Sequence, residues 1–175
     1  MAKKERIERK TLLVVGEGDT EIAFLQHLRA MYCANGVGVR VTIRNAQGGG
    51  PTSIVNYVIR QLRLASFDYR IAFLDTDIPW SDGLKKVAKQ HQIVMIGSAP
   101  CFEGLLLAIL NLPVPQLADQ CKKVLQQRTK ADMTEVRDYA LCFSKEVLQS
   151  ARQSQGGLDV LLRYLESSVV NAAQK

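Results

Sequence analysis

The sequence predicts an α/β protein: a four-stranded parallel sheet of order 2-1-3-4, sandwiched by helices and followed by a helical C-terminal extension. Three observations lead there. In the first half, short apolar runs alternate with stretches of helical period, which is the pattern of βαβ units. The first run, Thr11 to Val15, is apolar after its first residue, as suits a strand covered on both faces. Acidic clusters follow the first and third runs directly, Gly16-Glu17-Gly18-Asp19-Thr20-Glu21 and Asp75-Thr76-Asp77. Strand ends are where an open α/β sheet places its ligand site.

The elements follow in order. Thr11 to Val15 is the first strand. Thr20 to Tyr32 is a helix with Ile22, Leu25, Leu28 and Tyr32 on one stripe. Asp19 or Thr20 caps it, Glu21 suits the positive end of its dipole, and Asn35-Gly36 stops it. Val37 to Ile43 alternates Val37, Val39, Val41 and Ile43 as the second strand. Asn45 to Pro51 is a glycine-rich loop, and Thr52 to Leu64 is a helix burying Ile54, Val55, Val58, Ile59 and Leu62. Arg70 to Leu74 is the third strand, Asp82 to Gln90 a helix, and Ile93 to Ile96 the fourth strand. Right-handed crossovers then make the sheet parallel.

The remainder reads as helical. Cys101 to Leu110 is strongly apolar and suited to packing on the sheet, with Pro113 and Pro115 ending it. Leu117 to Gln127, Met133 to Gln149 and Leu158 to Ala173 are amphipathic, and Gln153-Ser154-Gln155-Gly156-Gly157 is a linker before the last. The expected organisation is a basic arm (1–10), an α/β domain (11–112), and a helical extension (113–175) packing on the same domain.

With 175 residues and 47% apolar content, the chain suits one domain with a core of its own. Cys33, Cys101, Cys121 and Cys142 stand far apart without a CxxC, and the opening Met-Ala-Lys-Lys-Glu-Arg is no secretory signal. Free thiols in a reducing cytoplasm are therefore expected. No membrane partner is expected, because the apolar run from Gly104 to Val114 falls short of the ~20 residues of a membrane helix. Half of the net charge of +6 lies in the first ten residues, an arm suited either to phosphate contact or to plain solvation.

The acids carry the chemistry. Residues two apart on a strand share a face, so Asp75 and Asp77 address one point if the extended geometry persists. In the order 2-1-3-4, Glu17 lies about one strand spacing away, ~4.8 Å. Carboxylates so placed repel unless a cation neutralises them. An all-oxygen set suits Mg²⁺ or Mn²⁺ rather than zinc; the alternative is that these acids serve turns and caps. A P-loop and a GxGxxG are both absent. Gly48, Gly49, Gly50 and Thr52 instead offer amides running into a helix N-terminus, either a phosphate dock or a flexible loop. Lys85, Lys86 and Lys89 form either a phosphate track or a solvated helix face. His27 and His91 read as surface or packing histidines. Trp80 either stacks on a base or covers the sheet edge.

Gly16-Glu17-Gly18 with Thr20-Glu21, Gly48-Gly49, Asp75-Thr76-Asp77 and Ser98-Ala99-Pro100-Cys101-Phe102-Glu103, taken in this order, resemble the Toprim-related proteins of the RloB-like kind. Relatives of these include the overcoming-lysogenization-defect nucleases. The resemblance covers residues 11 to 110 and departs from the family at Gly104, where an aromatic is usual. It implies a Toprim/Rossmann-like sheet and magnesium held by Glu17, Asp75 and Asp77, with Glu21 and Glu103 as further functional acids. The expected activity is Mg²⁺-dependent phosphodiester chemistry on nucleic acid (DNA or RNA), as a nuclease of a phage-defence or DNA-processing system. The alternative is a non-catalytic nucleic-acid-binding or scaffolding subunit working with a separate ATPase, since no P-loop is present. The C-terminal helices are expected either to pack on the sheet or to build a homodimer.

Overall fold

The computed structural model describes residues 9–36 and 38–167. Four strands, β1 (Thr11–Gly16), β2 (Arg40–Asn45), β3 (Tyr69–Asp75) and β4 (Val94–Ser98), form one sheet of order β2-β1-β3-β4, parallel throughout. The helices are α1 (Asp19–Tyr32), α2 (Gly50–Leu62), α3 (Asp82–Gln90), α4 (Phe102–Ile109), α5 (Ala118–Thr129), α6 (Val136–Cys142), α7 (Lys145–Ala151) and α8 (Gly156–Glu166).

Alternation along the strands divides the core in two. Leu12, Val14, Ile71, Phe73 and Ile96 face one way and pack with α1 and α4–α8. Leu13, Val15, Ala72 and Leu74 face the other way, against α2 and α3. The C-terminal extension therefore shares the core of the α/β domain rather than forming its own. An aromatic cluster ties this first layer together. The ring of Phe24 on α1 lies 5.5 Å from Phe102 on α4 and 5.5 Å from Tyr139 on α6, and Phe73 on β3 lies 5.6 Å from Phe102. Each such pair adds roughly 0.5–1.5 kcal/mol beyond its burial. Together they fix where the first turns of α1 and α4 stand over the sheet.

Several boundaries differ from the sequence reading. The second strand begins at Arg40, not Val37, and Val37 itself lies outside the described residues. Gly38 sits at φ +68, and a Cβ there would stand 2.7 Å from the Leu165 carbonyl oxygen, so the chain turns before it joins the sheet. The single helix expected from Met133 to Gln149 is two helices. Buried Phe143 leaves helical geometry, and the Ser144 hydroxyl accepts from the Val147 amide to start α7. Helix α8 begins at Gly156, within the expected linker, and residues 168–173 of its expected length lie outside the described residues, as do residues 1–8 of the basic arm. α1 is capped by Gly18 without a side-chain bond, rather than by Asp19 or Thr20. His27 is a packing histidine: buried, with Nε2 2.8 Å from the Phe143 carbonyl oxygen. Among the described residues no helix is long and apolar enough to cross a membrane, and all four cysteines are free thiols.

Candidate functional site

The acids gather at the carboxyl edge of the sheet, on the face covered by α1 and α4. Asp75 ends β3 and is paired in register with Ser98, the last residue of β4. Paired residues of parallel strands project to the same side, so both follow Phe73 and Ile96 toward α1 and α4. Glu21 arrives from the first turn of α1 and Glu103 from the first turn of α4. Glu17 lies in the short turn between β1 and α1.

Small residues make this approach possible. A Cβ on Gly16 would stand 3.0 Å from the Glu21 Cβ, and one on Gly18 would stand 3.2 Å from its Oε2. Larger residues at either place would push α1, and with it Glu21, away from the sheet. Gly104, where the chain departs from the RloB-like pattern, has a local reason of its own. A Cβ there would stand 2.7 Å from Pro100 Cδ and 2.8 Å from the Ala99 carbonyl oxygen, so the turn that delivers Glu103 leaves no space for a side chain.

The electrostatics follow from this crowding. Burial pushes the Asp75 carboxyl up to about 7, and Glu21, Glu103, Asp77 and Glu17 add to the rise in that order. Burial likewise raises Glu21, which is 9% exposed, against the lowering influence of backbone amides, with Glu103 and Glu17 raising it further. Tyr139 donates to the Thr20 carbonyl at 3.0 Å, and its phenol is raised by burial and then by Glu21 and Glu103. Cys101, at the N-cap of α4, is pushed up to about 12, chiefly by burial, and so stays a thiol.

Asp77 does not continue the strand. β3 stops at Asp75, and the exposed Asp77 lies in the bend after it, where its Oδ1 accepts from the Ile78 amide at 2.8 Å. The condition for two-residue alternation is therefore not met, although Asp77 remains close enough to raise Asp75. Glu17 and the glycine loop are in contact. The Gly50 amide donates to Glu17 Oε1 at 3.3 Å, and the Gly48 amide donates to the Glu17 carbonyl at 3.0 Å. Gly48, Gly49 and Gly50 all have positive φ, and Thr52 is exposed in the first turn of α2.

Oxygen donors alone make up this set, which fits a hard divalent cation in chemistry. One further polar atom fits it as well. The Ser98 hydroxyl, 1% exposed and on the face of Asp75, has no hydrogen-bond partner among the described residues, and such a buried group is costly to leave unpaired. Among the described residues, however, no three His, Cys, Asp or Glu side chains stand as an assembled ligand set. Glu17 is held by Gly50 and Asp77 by Ile78, so gathering around an ion requires their rotation.

Several expected contributors stand elsewhere. α3 packs on the opposite layer, with Lys85 paired to Asp82 at 3.5 Å, so its lysines do not face the acids. Trp80 donates to the Asp75 carbonyl at 3.2 Å and lies over Gly97, covering the sheet edge. The sequence reading missed Ser98 as an individual residue, although it occupies the last position of a strand opposite Asp75. It also missed a cavity of about 160 Å³ that runs from Thr20 and Glu103 to Lys122 and Gln126 on α5. The only linear trace of that cavity is the Lys122-Lys123 pair on a helix that otherwise looked generic. Comparison of the chain with protein-family models, with curated proteins and with solved structures finds no match.

Proposed function

We propose that this protein is a Mg²⁺- or Mn²⁺-dependent enzyme of phosphodiester chemistry, a Toprim-like, RloB-like nuclease acting on nucleic acid in a phage-defence or DNA-processing system. The observation that carries the reading is the meeting of acids from the β1–α1 turn, α1, the bend after β3 and α4 around half-buried Asp75, beside the unpartnered Ser98 hydroxyl. A structural role gives no reason to bring like charges together at a ligand-binding edge.

In this reading Glu17, Asp75 and Asp77 hold the ion. When bound, it supplies positive charge against the phosphate oxygens and activates a water. Glu21, whose carboxyl is raised by burial, holds a proton to higher pH than a free glutamate and is suited to pass one at its Oε. Glu103 borders the neighbouring cavity and orients what enters from that side. Once Glu17 turns to the ion it releases the Gly50 amide, and the N-terminus of α2, with Gly48, Gly49, Gly50 and Thr52, can then meet a phosphate.

The test pairs cleavage with metal binding. Wild-type protein should cut DNA or RNA only with Mg²⁺ or Mn²⁺ and should bind Mn²⁺ by electron paramagnetic resonance. Asp75→Asn should lose Mn²⁺ binding and several kcal/mol of transition-state stabilisation, on the order of 10³ in rate. Unchanged cleavage in that variant would sink the metal role. Polymer retained in EDTA and released by salt, with no cleavage in either metal, would favour the binding subunit that works with a separate ATPase.

A further inference from the structure

We propose that α5 and the loop after it form a nucleotide subsite, which holds one unit of a single-stranded polynucleotide against Glu103 with Lys122 on a phosphate and Gln126 on the sugar or base edge. The proposal rests on the phosphodiester reading above and assigns that site its substrate form and a second binding wall.

The cavity has the right neighbours. Glu103 and Thr20 form one side, so whatever fills it lies against the acidic centre. Leu125 and Met133, both buried, supply an apolar floor suited to a sugar or base. Lys122 and Gln126 stand on the opposite side, one helical turn apart and thus on one face of α5. Both are exposed, and neither side chain makes a hydrogen bond or ion pair among the described residues.

A lysine beside a group of carboxylates would ordinarily find one of them. Asp132, which lines the same cavity, has its Oδ1 taken by the Thr134 hydroxyl at 2.6 Å and by the Thr134 amide at 2.9 Å. Lys122 shares the cavity with Glu103 and makes no ion pair among the described residues. Lys123, Arg128 and Lys130 continue the basic character of α5 and its C-cap, again without ion pairs among the described residues. A helix with exposed cations, packed beside an acidic centre, suits a polyanion whose backbone meets the cations while one phosphate reaches the acids. A cavity of about 160 Å³ has room for one sugar or one base and none for a base pair, so an unpaired strand is the fitting occupant.

The test is fluorescence anisotropy of a labelled single-stranded oligonucleotide in EDTA, which prevents cleavage. Lys122→Glu is compared with Lys86→Glu, the same charge change on the opposite layer of the sheet. Lys122→Glu should weaken binding by about tenfold and make the salt slope shallower by roughly 0.7, the value of one phosphate contact on a single strand. Gln126→Ala should weaken it less, and Lys86→Glu should change it by less than about twofold. Equal losses in the two lysine variants, no loss in Lys122→Glu, or equal competition by duplex of the same sequence would each overturn the proposal. Mn²⁺ binding separates this failure from that of the centre itself. Lys122→Glu should bind Mn²⁺ as wild type does, whereas a wild type without Mn²⁺ binding sinks the metal reading and leaves the anisotropy result to stand by itself.

Discussion

Two aspartates bracket the same strand and meet opposite fates. Asp68, just before β3, receives the Thr11 amide and hydroxyl and the Lys10 ammonium at 2.8 to 3.0 Å. These contacts, the Thr11 amide first, hold its carboxyl down at about 2. Asp75, at the far end of β3, is half-buried among four other acids and is pushed up to about 7. The amino edge of the sheet satisfies its carboxylate with donors; the carboxyl edge withholds them. Local sequence cannot account for the contrast, because the two residues flank the same strand. It comes from what the crossovers deliver: Thr11 and Lys10 at one end, and the first turns of α1 and α4 at the other.

Changing each aspartate to asparagine sharpens the comparison. At Asp75 the folded-state carboxyl lies above its unfolded value, so ionisation opposes folding. Without metal, wild-type stability should therefore fall as pH rises from about 4 to about 7. Asp75→Asn should make that slope shallower, leaving the part due to Glu21, and raise stability at pH 8 by about 1–2 kcal/mol, after allowance for partial exposure. Urea unfolding at pH 4.5 and pH 8 (both set by the experimenter, about the limits of that window) measures it. A variant no more stable than wild type at the higher pH would mean that the crowding of acids is not felt.

Asp68 should show the smaller effect with the opposite sign. Its folded-state carboxyl is depressed, so its contribution is present above the unfolded value and lost as pH falls toward about 2. Because the residue is largely solvated, Asp68→Asn should cost no more than about 0.5 kcal/mol at pH 7. Thermal unfolding at neutral pH would show a shift of a few degrees at most; a larger loss would mark the amino edge as a stability determinant in its own right.

The contrast also explains what was legible in the sequence. The order of the sheet could be read because buried parallel strands are apolar runs and crossovers are short. The acid positions could be read because Glu17 and Asp75 stand at strand ends and Glu103 opens the helix that follows the fourth strand. Glu21 was legible as an acid near the site, but its burial was not, since that depends on Gly16 and Gly18 admitting α1 to close packing. The start of β2 was misjudged because Val37 and Val39 continue an alternation that the turn at Gly38 interrupts. The break at Phe143 was hidden by helical spacing on both sides, although Ser144 carried the signal of a cap. The contribution of α5 could not be read at all. Lys122 and Gln126 reach the site only because α4 and α5 pack together, and long-range packing of that kind leaves no period in the chain.

The cation site proposed for the acids around Asp75 has a thermodynamic signature. Thermal unfolding at neutral pH with increasing Mn²⁺ tests it most directly. Mn²⁺ should raise the Tm of the wild type in a saturable manner, by the linkage of binding to folding, and leave the Tm of Asp75→Asn unmoved. Equal shifts in the two proteins, or none in the wild type, would contradict it.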